Sequence, residues 1–148
     1  MPIPHIRAAL LEDAAAISKL LPDLGYTATE AESRARLQRL SQWPQNEVFV
    51  AEAEAGGALI GLCHSQGVPL LASAGYVEVQ ALVVAVSAQR TGVGRALLQH
   101  AVLWAQSQGY PRVRLRSGLH RDEAHRFYEA QGFLKSKASY AFEKLNPH

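Results

Sequence analysis

Residues Val79–Leu98, VQALVVAVSAQRTGVGRALL, read as strand, glycine turn and helix in unbroken succession. A tight turn that opens a helix presents unpaired N–H groups and the positive end of the helix dipole, a ready anion site. Gly92 and Gly94 let the backbone approach a ligand that a Cβ would hold off. Two common phosphate-binding patterns fail here. A dinucleotide fingerprint needs a third glycine where Leu97 stands and an acidic residue about 20 positions on, but no Asp or Glu occurs between Gly94 and Asp122. The Gly-Lys-Ser/Thr of a nucleotide-triphosphate loop is also absent.

The turn reads Gln89-Arg90-Thr91-Gly92-Val93-Gly94 and follows Leu82-Val83-Val84. Downstream lies Ala124-x-x-Phe127-Tyr128-Glu129-x-x-Gly132-Phe133. In order and spacing the two segments resemble the paired signatures of the GNAT superfamily, the GCN5-related N-acetyltransferases. The resemblance runs over most of the chain and is most specific from Val77 to Phe133. It departs from the family pattern at Arg90, where Gly is usual, at Val86, where Pro is usual, and at Arg121, near which many members carry Asn.

With 148 residues, 48% hydrophobic and 19% charged, the chain has enough material for one well-buried core and too little for two ordinary domains. The expectation is one domain over residues 1–148. Lys plus Arg number 15 against 13 Asp plus Glu, a net charge of +2 that gives no argument for nucleic acid. Arg112, Arg114 and Arg116 alternate along a strand and read as a solvated or ion-paired face. The one cysteine, Cys63, rules out an internal disulfide scaffold and reads as a small buried hydrophobe. The first residues, MPIPHIRAALLEDAAAI, hold no basic segment followed by a long apolar core. No run approaches the ~18–20 apolar residues of a membrane span. The protein is expected to be soluble and cytoplasmic, with no membrane partner.

Pro4 to Ala9 predict a first strand, and Glu12-Asp13 supply carboxylates to a helix with Ile17, Leu20, Leu21 and Leu24 on one face, kinked or ended at Pro22. Thr29-Glu30-Ala31-Glu32 has the form of a capping box and starts a second helix reaching about Leu40. Strands follow at Glu47–Ala53 and Ala58–His64 around Gly56-Gly57, then a loop over Ser65–Ser73 and a long strand over Gly75–Val86. Along that strand the face carrying Glu78 and Gln80 turns apolar at Leu82, Val84 and Val86, which burial of both faces or a β-bulge would explain. A helix from Gly92 to Gly109, a strand over Pro111–Ser117, a short helix from Asp122 to Gly132 and a last strand over Ala138–Lys144 complete the chain. Alternating elements around an antiparallel hairpin predict an α/β domain with a mixed sheet. The resemblance implies a GNAT-like, mostly antiparallel central sheet flanked by helices. The exposed final strand would suit pairing with a second copy as a homodimer.

The resemblance implies an acetyl-CoA-dependent N-acetyltransferase that acetylates a primary amine directly within a ternary complex. The acceptor is a small molecule, an aminoglycoside-like amine or a protein amine. In that reading the main chain of Gln89, Arg90, Thr91, Gly92, Val93, Gly94 and Arg95 cradles the coenzyme pyrophosphate, with the Arg90 and Arg95 side chains able to add charge. The backbone of Leu82, Val83 and Val84 pairs with the pantetheine arm as an added strand, though the same residues also read as buried sheet core. Arg121, standing near the position where many members carry Asn, could instead reach coenzyme phosphate. Tyr128 is the candidate general acid, since a phenol with pKa near ~10 can protonate a thiolate whose conjugate acid is near ~8.5 when the site positions them. A structural tyrosine packed beside Phe127 is the alternative.

Glu78, eleven residues before Gln89, stands where histone-type members carry their basic glutamate. It would deprotonate the ammonium through a water, or only bind a cationic substrate, or lie solvated on the strand. His64, His120 and His125 can titrate near neutral pH, but no spacing of His, Cys, Asp and Glu makes a metal site persuasive. A rival class is a non-catalytic acyl-CoA-binding regulatory module using the same loop.

Overall fold

The computed structural model describes residues 3–117 and 121–147. The chain forms two compact units, Met1–Arg116 and Ser117–His148. In the first, five strands form one sheet in the order β1-β2-β3-β4-β5: β1 His5–Ala8, β2 Asn46–Glu52, β3 Leu59–Val68, β4 Tyr76–Val84 and β5 Val113–Leu115. The first four pair antiparallel and β5 joins β4 in parallel, so the sheet is mixed and mostly antiparallel, as expected.

Helices α1 Ala14–Leu20 and α2 Glu30–Ser41 pack together, and α1 also meets β3. Here Ile17 and Leu20 close on Val50, Leu62 and Val83, with Leu37 and Val48 against them. Full burial of such aliphatic side chains contributes about 1.5–3 kcal/mol each. Helix α3 Val93–Ser107 packs on β3 and β4, burying Val93, Leu97, Leu98, Ala101 and Ala105. Its His100 meets the Phe49 ring edge-on at 4.2 Å.

Local chemistry accounts for the helix ends. Thr29 Oγ1 accepts from the Glu32 N–H at 3.1 Å while Glu32 Oε1 accepts from the Thr29 N–H at 2.9 Å, closing the expected capping box. Leu21–Leu24, with Pro22 in its first turn, forms a 3-10 turn that Gly25 ends at φ 96°. Arg7 makes two 2.8 Å bonds to the Asp13 carboxylate, joining β1 to the start of α1, and also reaches Glu52 on β2 at 3.4 Å.

The structure departs from the sequence reading in three places. Ser65–Val68, read as loop, continues β3: Ser65 is fully buried opposite Val79, and Gly67 is a close approach, because a Cβ there would meet the Tyr110 ring at 2.7 Å. The long strand stops at Val84, and Val86–Ala88 form a 3-10 turn. The last strand is not formed. In the second unit, α4 Asp122–Ala130 is followed by residues 133–147 without regular structure, with Tyr140 and Phe142 exposed. A lone strand leaves its backbone groups unpaired, so the homodimer expectation loses its structural basis.

Candidate active site

Each side of β4 has a different role. The Ala85 N–H donates to the Ile60 carbonyl at 2.9 Å, so by the alternation of an antiparallel ladder Val83 and Ala81 turn their main chains to β3. Leu82 and Val84 therefore direct their N–H and C=O groups to the opposite edge. β5 covers that edge only from Val77 to Val79. Beyond Val79, among the described residues, no strand pairs with it. Of the three expected backbone contacts, Leu82 and Val84 turn their main chains to the open edge, where the Val84 carbonyl already accepts from Gln89, while Val83 is bonded to β3 and buries its side chain in the core.

The open edge runs directly into the turn. Gln89 Nε2 donates to the Val84 carbonyl at 3.4 Å, and Thr91 Oγ1 donates to the Ala88 carbonyl. The first bond ties the turn to the end of β4, and the second closes the turn on itself. Gly92 is the N-cap of α3 at φ 91°, where an L side chain is strained, and no side chain caps the helix. Among the described residues no side chain accepts from the N–H groups of the first turn, at Val93, Gly94 and Arg95, which lie at the dipole's positive end. Arg90 and Arg95 are both exposed beside them. Arg90 adopts φ 64°, a left-handed conformation at the position where the family pattern has glycine.

Glu78 sits on the other part of β4. His64 pairs with Ala81 and Ser65 with Val79, so Gln80 is an extra residue on β4, and the β-bulge that the changing face of this strand suggested is present. The bulge turns Gln80 outward, where its Nε2 donates to Gln66 Oε1 at 3.1 Å. Glu78 is only 6% exposed yet lines an open cavity of about 410 Å³ with Val68, Tyr76, Val79, Gln80 and Arg116. Its carboxylate makes no hydrogen bond or ion pair among the described residues. The Arg114 guanidinium, paired in register with Glu78, stacks over the Tyr76 ring at 4.1 Å. The arginine face of β5 thus borders this cavity. Sequence reasoning missed Tyr76 and Arg116 as site residues; the polar-to-apolar change along β4 was the signal that marked the bulge.

Burial shifts three further titratable groups of this unit. It pushes the Cys63 thiol up to about 11, which leaves it protonated and inert at neutral pH. It lowers the pKa of His64, whose Nε2 is buried without a hydrogen-bond partner among the described residues. It lowers His100 likewise. No cluster of three or more His, Cys, Asp and Glu is found among the described residues.

In the second unit, Tyr128 lies half-buried on α4, with Phe127 at 5.5 Å and Phe133 at 6.3 Å between ring centroids. Its carbonyl accepts the N–H groups of Gln131 and Phe133, both at 3.0 Å, closing the helix before Gly132. Arg121 is the N-cap of α4 and its side chain is exposed. His120 lies outside the described residues.

Comparison with known proteins gives one family. The model of the acetyltransferase (GNAT) family matches residues 15–133. The chain is 32% identical over 125 residues to the uncharacterized N-acetyltransferase YhdJ of Bacillus subtilis (strain 168), covering 83% of this chain and 87% of that one. It is similar to the solved structure of a putative acetyltransferase from Agrobacterium tumefaciens str. C58, with 26% identity, TM-score 0.83 and coverage of 95% and 99% of the two chains. The fold also matches AAC(6')-Iy in complex with a bisubstrate analogue, CoA-S-monomethyl-acetylneamine, at 17% identity and TM-score 0.84, covering 98% and 100%. The chain therefore belongs to the acetyltransferase (GNAT) family of enzymes.

Proposed function

We propose that this chain transfers the acetyl group of acetyl-CoA to a primary amine by direct attack in a ternary complex. The observation that carries the reading is the open edge of β4 at Leu82 and Val84 running into the uncapped N-terminus of α3. An extended amide-bearing arm suits the first, and a pyrophosphate suits the second. The family membership gives both features one ligand, since coenzyme A carries a pantetheine arm and a pyrophosphate in series.

The amine must attack as the free base. Glu78, a buried carboxylate without an ionic partner beside an open cavity, is suited to take the ammonium proton through a water. The nitrogen forms its bond to the thioester carbonyl carbon, the C–S bond breaks, the electron pair leaves on sulfur, and the nitrogen's second proton replaces the one that the thiolate takes up. A main-chain N–H of the open β4 edge is suited to the developing oxyanion. Tyr128 keeps the role that the family resemblance gives it, protonation of the leaving thiolate. Arg121 keeps its assignment to coenzyme phosphate.

Kinetics of Glu78→Gln and Tyr128→Phe test the assignment. Each is expected to lower kcat by about 10²-fold or more, Glu78→Gln with an altered pH–rate profile, while acetyl-CoA binding stays within about twofold of wild type. Unchanged turnover in either variant removes that residue from the chemistry. Binding of acetyl-CoA without consumption in the presence of amines would favour the non-catalytic module.

A further inference from the structure

The cavity that Glu78 lines is bipolar. Glu78 is the one carboxylate among its described lining residues, and Arg116 stands in the same wall. Arg114 borders it from above the Tyr76 ring. Neither arginine makes an ion pair among the described residues, although Arg114 is in register with Glu78 on the neighbouring strand. Stacking on Tyr76 occupies Arg114, and Arg116 is exposed, its planar fork of donors available. A polycation would find one carboxylate here against two guanidinium groups, which opposes its entry. A molecule carrying both signs would find a partner for each.

We propose that the acceptor is a zwitterion, an amine with a carboxylate close to the nitrogen, as in an α-amino acid. This rests on the acetyl-transfer reading above. The ammonium lies toward Glu78, which takes its proton through a water before attack, and the carboxylate takes the bidentate face of Arg116. The Gln66–Gln80 amide pair forms the polar boundary on the β3 side. Gln66 also lines a second cavity of about 180 Å³ with Arg39, Leu40 and Trp43, which offers an aromatic wall to the acceptor's side chain.

The test uses matched pairs that differ only in the carboxylate: phenylalanine with phenethylamine, leucine with isoamylamine, tyrosine with tyramine. Thiol release from acetyl-CoA is followed for each with the wild-type chain and with Arg116→Gln and Arg116→Lys. The expected result is a kcat/KM at least tenfold higher for the amino acid in at least one pair. Arg116→Gln should shrink that ratio to within about threefold, and Arg116→Lys, which keeps the charge without the fork, should give an intermediate ratio. Equal or better turnover of the decarboxylated members, no turnover of any amino acid, or a ratio unmoved by Arg116→Gln each overturns the proposal. Acetyl-CoA binding, measured in parallel, separates the two readings. If acetyl-CoA binds and the decarboxylated amines are acetylated as well as or better than their amino acids, the acceptor class alone is wrong. If acetyl-CoA neither binds nor is consumed, the acetyl-transfer reading falls with it.

Discussion

Arg90 concentrates the conflict between local conformation and ligand chemistry. A β-carbon in the left-handed region costs about 1 kcal/mol relative to glycine, and Arg90 holds φ 64° on the exposed turn before α3. The guanidinium it places there is the compensation that a phosphate ligand would supply. Arg90→Gly is therefore expected to weaken acetyl-CoA binding several-fold. Calorimetric titration checks this, and a glycine variant that binds as tightly as wild type would leave Arg90 a merely strained residue. Arg116 and Tyr76 show the limit of reading at this scale. Their residue types were visible, but only the parallel register of β5 on β4 brings them beside Glu78.

Among the elements, β4 decides the account, because one edge closes the sheet and the other stays open. Proline lacks the N–H that a ladder needs and is tolerated where that N–H points away from the sheet. Val84→Pro is thus expected to fold and to lose about fivefold or more in acetyl-CoA affinity, the scale of one hydrogen bond. Val83→Pro removes a bond to β3 and is expected to give little soluble protein. Equal acetyl-CoA affinity for Val84→Pro and wild type, by calorimetry, would contradict strand-like binding along this edge. The capping box at Thr29, the stop at Pro22 and the glycine-turned start of α3 were legible because each depends on neighbours in sequence. The continuation of β3 through Gly67 was not, since only the Tyr110 ring from a distant segment explains that glycine. The alternation of Tyr140 and Phe142 spoke for a strand, but alternation supplies no pairing edge, and the structure gives that segment none.

For the whole molecule, His64, His100 and the Arg7–Asp13 pair make stability fall as pH falls, while Glu47, its pKa raised by burial, works the other way. His64 and His100 have folded pKa values lowered by burial, so below the unfolded value of about 6.5 the unfolded chain binds more protons and stability falls as pH falls. Asp13 has its folded pKa lowered, chiefly by the Arg7 hydrogen bonds. Its contribution is present above the unfolded value of about 3.9 and is lost as pH falls through the folded value. Denaturant midpoints are expected to decline from about pH 6.5 downward and again in stronger acid. Asp13→Asn should flatten the second decline and cost about 1.5–3 kcal/mol at neutral pH, the scale of a hydrogen bond to a charged group, since Arg7 keeps Glu52 as its ionic partner; a variant with wild-type stability would show that the bridge contributes nothing. Among the described residues no helix is long and apolar enough to cross a membrane. The central claim concerns the turn and edge at the end of β4, and a thermal-shift titration with acetyl-CoA beside NADH tests it most directly. At ~100 times its dissociation constant, acetyl-CoA should add ~2.7 kcal/mol and raise the midpoint by several degrees, while NADH leaves it unmoved. No shift with acetyl-CoA, or an equal shift with NADH, would contradict the coenzyme A site.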